Sequence, residues 1–213
     1  MAKRIFITAT NTDIGKTHAT KLLLKEYNRL GYSVAAFKPI ETGVTTKAED
    51  ATALLTLMQE LNPKFNSLHV SDISPINFKL PAAPYIANSA QNIDTDIIIK
   101  ALEKLEKICD IVIIEGAGGL YVPVDKNLMM IDFIELFSAK ALLVSHCKLG
   151  CINDTLLSIK ALQDIDTDFL WTLNCKDEDS NFDEVSKRYF DDRFEKVFYL
   201  NRDTASLAKA LID

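Results

Sequence analysis

The chain has 213 residues, 48% of them hydrophobic and 25% charged, which is the balance of a globular protein with room for one sizeable core. A net charge of −6 argues against a nucleic-acid partner, because such partners ask for a basic face, and no apolar run reaches the length of a membrane span. Ile5-Phe6-Ile7 is too short for the core of a signal peptide, and Cys109, Cys147, Cys151 and Cys175 form no C-x-x-C pair, so reduced thiols in a cytoplasmic protein are expected.

In chain order, residues 4–8 read as a strand buried on both faces, and residues 16–30 carry apolar positions at helical spacing up to Gly31. Between them lies Thr8-Ala9-Thr10-Asn11-Thr12-Asp13-Ile14-Gly15-Lys16-Thr17. A strand, a small-residue loop and a Gly-Lys-Thr helix start form a nest of N–H groups for phosphate oxygens. Lys16 is placed to reach the β- and γ-phosphates and the Thr17 hydroxyl to bind Mg²⁺. The residue five before Gly15 is Thr10 rather than glycine, so the loop is one residue longer than the usual phosphate-binding loop.

Residues 33–37 form a second expected strand, running into Lys38-Pro39, which points a lysine into the crevice at the strand's carboxyl end. Residues 46–60 read as a helix with Asp50 near its start, where an acid also suits the helix dipole. Residues 62–83 read as a long irregular surface excursion near the substrate site, and residues 84–90 as a short helix. A helix starts at Asp94-Thr95, with Ile97, Ile98, Leu102, Leu105 and Ile108 as its apolar face.

Ile111-Val112-Ile113-Ile114 is a strand ending in Glu115, a carboxylate placed to hold Mg²⁺, and Gly116-Ala117-Gly118-Gly119 lets backbone approach a ligand closely. A helix over 131–137 and a strand over 141–145 lead to Lys148-Leu149-Gly150-Cys151-Ile152-Asn153, a second anion site at the start of a helix running to Asp164. A strand over 169–173 ends at Asn174, whose amide could read a nucleotide base or simply start a turn. A polar loop over 176–181, a helix over 182–189, a strand over 197–200 and a helix over 204–212, capped by Asp203 or Thr204, complete the chain. Alternating strands and helices without repeats or a linker predict one domain: a mainly parallel sheet with helices on both faces.

The four strand-end signals at Gly15-Lys16-Thr17, Lys38-Pro39, Glu115 to Gly119 and Lys148 to Asn153 together resemble the dethiobiotin synthetase family, from Arg4 to about Asn174. The departures in the loop are Ala9 for a usual glycine and Asp13 where glutamate is also common. The resemblance implies a P-loop NTPase-like fold and an Mg²⁺-dependent ligase that makes dethiobiotin from 7,8-diaminononanoate, CO₂ and ATP or another triphosphate. It implies Lys16 and Lys38 as catalytic cations, Thr17, Asp50 and Glu115 as metal ligands, and Thr42 as the substrate-contacting hydroxyl. Asp13, Ile14, Gly15, His18, Gly116, Ala117, Gly118, Asn174 and Cys175 are implied beside Lys16, Thr17, Asp50 and Glu115 at the nucleotide. Gly118 and Gly119 are implied to line the substrate site, and Gly150, Cys151 and Ile152 to hold the substrate carboxylate from the partner subunit of a homodimer. After Asn174 the resemblance fades, since Cys175 and an acidic loop stand where base recognition is expected. The competing class, a ParA/MinD-like nucleotide switch, typically has a further loop lysine where this chain has Asn11.

Overall fold

The computed structural model describes residues 2–177, 179 and 181–213. Strand β1 (Lys3–Ala9), helix α1 (Lys16–Arg29) and β2 (Val34–Phe37) open the chain. A short strand β3 (Ile40–Thr42) and helix α2 (Glu49–Leu61) follow, then α3 (Val70–Ile73), β4 (Ile76–Phe78), α4 (Pro84–Ala87) and α5 (Thr95–Glu106). The second half comprises β5 (Ile111–Gly119), α6 (Asp132–Leu136), β6 (Lys140–His146), α7 (Cys151–Asp164), β7 (Phe169–Asn174), α8 (Arg188–Arg193), β8 (Phe198–Tyr199) and α9 (Leu200–Ile212).

Six of these strands form one sheet in the order β2-β5-β1-β6-β7-β8, every pairing parallel. Consecutive residues Ile5, Phe6 and Ile7 are at most 1% exposed, so β1 is covered on both faces, as the unbroken apolar run requires. Helix α1 packs against both α2 and α9, while α5 lies on β5 and α7 on β6. Among the described residues no helix is long and apolar enough to cross a membrane.

Three local differences from the sequence-based expectation have physical causes. The excursion over 62–83 is not irregular: α3 and β4 fold back, and β4 pairs in parallel with β3, so the residues just after Lys38-Pro39 form a small second sheet. The last helix begins at Leu200, not 204, because Asp203 lies inside it and reaches back to accept from the Tyr199 N–H at 2.8 Å. Ile97, counted on the apolar face of α5, is 48% exposed, since the buried stripe runs through Ile98, Leu102 and Leu105. Part of the expected 176–181 loop, Glu178 and Ser180, lies outside the described residues.

Cys147 and Cys175 correct the expectation of four free thiols. Each follows the last residue of its strand, and His146 pairs with Asn174 in the β6–β7 register, so the two side chains meet and are joined by a disulfide, with Cα atoms 4.9 Å apart. Cys109 and Cys151 are free.

Candidate active site

Parallel strands deliver their carboxyl ends to one edge of the sheet, and that edge holds a cleft of about 710 Å³. Its walls come from the loop after β1, from residues 38–42, from Asp50 at the start of α2, and from the end of β5. Pro81 to Pro84, the end of the excursion, form the far side. The excursion also shapes the near side, because the Ile73 carbonyl accepts the Lys38 backbone N–H at 2.7 Å.

The polar centre of the cleft is a single connected cluster. The Thr17 hydroxyl donates to Glu115 Oε1 at 2.8 Å and lies 3.2 Å from Asp50 Oδ1. Lys38 Nζ donates to the same Glu115 Oε1 at 2.7 Å and to Asp50 Oδ2 at 3.2 Å. The second Glu115 oxygen accepts from the Thr20 hydroxyl at 2.9 Å. Glu115 is fully buried, so each of these donors offsets the cost of taking its charge out of water.

The two lysines respond oppositely to similar burial. For Lys38, burial works against the charge, but the pull of Glu115 and Asp50 outweighs it, and the ammonium is held above its ordinary value. For Lys16, burial and the repulsion of Lys38 bring the value down to about 8, because Glu115 and Asp50 make up too little of the loss. Its hydrogen bond is to the Asn11 carbonyl at 3.3 Å, which carries no net charge. Lys16 is thus a cation short of an anion, which suits a phosphate-binding group.

The Mg²⁺ set expected from the sequence is brought together. Thr17 Oγ1 lies within hydrogen-bond reach of both Asp50 and Glu115, and hard oxygen donors of this kind are the chemistry a magnesium ion prefers. Among the described residues no group of three or more His, Cys, Asp or Glu side chains forms a metal cluster, so such an ion depends on the threonine, and on water or phosphate oxygens, for its remaining ligands.

The other expected residues divide. Asp13, Gly15, Thr42, Ala117 and Gly118 line the cleft. Gly15 caps α1 at φ +113°, and Gly118 stands at φ +69° with the Val122 side chain 2.6 Å from where a Cβ would be; both conformations demand glycine. Gly116 and Gly119 instead lie against β1: the three residues Ile7 to Ala9 of β1 span the five residues Glu115 to Gly119 of β5. His18 does not line the cleft; its ring pairs with Asn201 of α9 at 2.6 Å. Cys175 is in the disulfide, and Asn174 donates its amide N–H to the Ile14 carbonyl at 2.7 Å. Gly150, Cys151 and Ile152 lie at the start of α7, outside the cleft, next to Leu149, which is 86% exposed. The Cys151 N–H already donates to the Lys148 carbonyl at 3.0 Å.

Sequence reading missed Glu41, Thr20 and Lys176. Glu41 is buried, and its two oxygens accept from the Asp50 and Ala51 backbone N–H groups at 3.0 and 2.9 Å, so it caps α2 and seats Asp50. The cap comes from a strand rather than from the residue before the helix, so no local pattern announces it. Thr20 stands one helical turn after Lys16, a spacing that could have marked it as a neighbour of the phosphate loop. Lys176 lines the cleft from beyond β7.

A family model described as an AAA domain matches residues 3–189. The ATP-dependent dethiobiotin synthetase BioD of Sulfurovum sp. (strain NBC37-1) is 45% identical over 187 residues, covering 88% of this chain and 89% of that protein. The protein of the same name from Wolinella succinogenes is 38% identical over 213 residues, covering 99% and 98%. Among solved structures, the MinC:MinD cell division protein complex of Aquifex aeolicus aligns at a TM-score of 0.55 with 17% identity, covering 98% of this chain and 86% of that one, a likeness of fold. With relatives this similar along nearly its whole length, and with the cluster around Lys38 built on a phosphate loop, the chain belongs to the dethiobiotin synthetase family.

Proposed function

We propose that this protein is a cytoplasmic ligase that uses ATP, or another nucleoside triphosphate, to close the ureido ring of dethiobiotin from 7,8-diaminononanoate and CO₂. The observation that carries the reading is the Lys38–Asp50–Glu115–Thr17 cluster, which ties the phosphate loop to Lys38 in one cleft. The named relatives support it.

In this reading one substrate amine takes up CO₂ as a carbamate. A carbamate oxygen attacks the γ-phosphate, and the second amine then closes the ring on the carbamic–phosphoric anhydride with release of phosphate. Negative charge gathers between carbamate and γ-phosphate throughout, and prepositioned cations are what lower that barrier. Lys16 and Lys38, which both line the cleft, would supply them. Thr17, Asp50 and Glu115 would hold Mg²⁺, which neutralises charge on the triphosphate. Thr42 and the Gly118 backbone border the space left for the diamine. Exchange of CO₂ for none, or omission of the diamine, should abolish ADP release; ADP release that persists undiminished without either would favour the nucleotide-switch class instead.

The reading includes a homodimer in which the α7 start of one subunit receives the substrate carboxylate of its partner's cleft. Subunit mixing tests it. Because the Cys151 side chain is fully buried, a blocking acid is better placed at the half-buried Ile152. Ile152→Asp and Lys16→Ala should each be inactive. After subunit exchange, half the dimers are mixed and half their sites carry neither lesion, so roughly a quarter of wild-type activity should return. A mixture that exchanges subunits yet stays dead rejects the shared site.

A further inference from the structure

Helix α2 starts without a cap of its own. The residue before it is Ala48, whose side chain has no acceptor, and the N–H groups of Asp50 and Ala51 in the first turn have no partner within the helix. Their acceptors come from β3: Glu41 Oε1 takes the Asp50 N–H at 3.0 Å and Oε2 takes the Ala51 N–H at 2.9 Å. Glu41 is 6% exposed, and its backbone is held by the β3–β4 pairing, opposite Asn77.

An aspartate in the first turn of an uncapped helix has its own use for such N–H groups. Its carboxylate can turn back and accept from them, with the helix dipole in favour. Asp50 does not do so. Its Oδ1 lies 3.2 Å from the Thr17 hydroxyl and its Oδ2 lies 3.2 Å from Lys38 Nζ, both in the cleft.

We infer that Glu41 is a positioning residue for Asp50: by occupying the first N–H groups of α2, it keeps the Asp50 carboxylate turned into the cleft, where the proposed function needs it for Mg²⁺. The inference rests on that metal set.

Calorimetry with β,γ-imido-ATP, with and without Mg²⁺, gives the factor by which the metal tightens binding. Two variants are compared with the wild type: Glu41→Ala, and Glu41→Gln, which keeps the size but replaces an acceptor by a donor. In both the factor should fall about 3- to 10-fold, the scale of one or two lost hydrogen bonds. Loss of a nearby negative charge could lower the factor by itself, so the pair is tested together. With Asp50→Asn already in place, changing Glu41 should cost nothing further, because a residue that acts through Asp50 has nothing left to act on. Losses that multiply overturn the inference. So does an unchanged factor in variants that lose only resistance to denaturant, which is what a plain helix cap predicts. A wild type whose binding Mg²⁺ does not tighten at all removes the metal set, and the inference with it.

If neither variant folds, the unmutated protein decides. The Asp50 and Ala51 amide protons should exchange slowly with solvent, although first-turn amides have no partner in the helix. Exchange as fast as that of the neighbouring exposed Glu49 would show that Glu41 does not hold them, and the inference falls.

Discussion

The two sides of the cleft are built to different standards. On the side of β1, β2 and β5, the side chains of the cluster are tied to one another: Thr17, Lys38, Asp50, Thr20 and Glu115 form one continuous set of contacts, and Glu41 seats Asp50 from behind. On the side of β7 no such cluster forms: one amide N–H of Asn174 goes to the Ile14 carbonyl, Cys175 is joined to Cys147, and His18 pairs with Asn201. Charge must be placed before the reaction to stabilise it, whereas a base takes no part in the chemistry. The molecule is prebuilt where charge develops and is uncommitted where the ligand is only held.

The largest effect should come from removing the pin of the prebuilt side. Lys38→Ala is expected to cut kcat by about 10²-fold or more. It also leaves the fully buried Glu115 without its ammonium, so the variant should lose roughly 3 kcal/mol of stability in a denaturant titration. The two effects separate on adding Mg²⁺, which should recover part of the stability and none of the turnover. Near-normal kcat in this variant would take Lys38 out of the mechanism.

Asp50→Asn comes next. It should raise the Mg²⁺ concentration needed for half-maximal activity about tenfold, the scale of a lost or weakened ligand contact. A Mg²⁺ titration that overlays the wild type would return Asp50 to the modest part of a first-turn acid favoured by the α2 dipole.

The uncommitted side predicts a small difference. The kcat/KM values for ATP, GTP and CTP should lie within about 10²-fold of one another, less than well-made polar recognition gives. A wider preference for ATP would mean that Lys176 or the chain beyond it reads the base.

Smallest of all is the expected chemistry of the free thiols. Burial pushes the Cys109 thiol up to about 12. A group whose value is raised stays protonated until pH approaches that value, and the thiolate is the reactive form. Native protein at pH 8 should therefore leave Cys109 unlabelled by iodoacetamide, with labelling rising only as pH climbs. In denaturant without reductant, Cys109 and Cys151 should be labelled, and Cys147 and Cys175 only after reduction. Four labelled thiols before reduction would remove the disulfide.

The sequence was most informative where chemistry forces residue type and spacing together. Gly15-Lys16-Thr17 and the apolar run leading to Glu115 are local patterns, and a mainly parallel sheet follows from strand–helix alternation, so both were legible, whereas the order of the strands was not. Contacts between distant segments were not. Glu41 reads as an ordinary strand residue until α2 is laid over it, and the Cys147–Cys175 bond depends on the β6–β7 register, which places His146 opposite Asn174. Asn174 was correctly singled out at a strand end, but which partner its amide takes is decided by a loop 160 residues earlier. The fold of 62–83 was hidden for a similar reason: β4 is only three residues long and exists because β3 lies beside it.

One consequence follows from the ammonium between Asp50 and Glu115. Lys38 Nζ sits between these carboxylates and is bonded to both. A metal at Asp50 and Glu115 would then be an ion exchange, since it would have to displace an ammonium that burial and geometry hold in place. An ion arriving already bonded to a triphosphate would bring the anion that the displaced ammonium needs. Joint entry of nucleotide and metal is therefore expected, and Mg²⁺ without nucleotide should bind more weakly than Mg²⁺ with it.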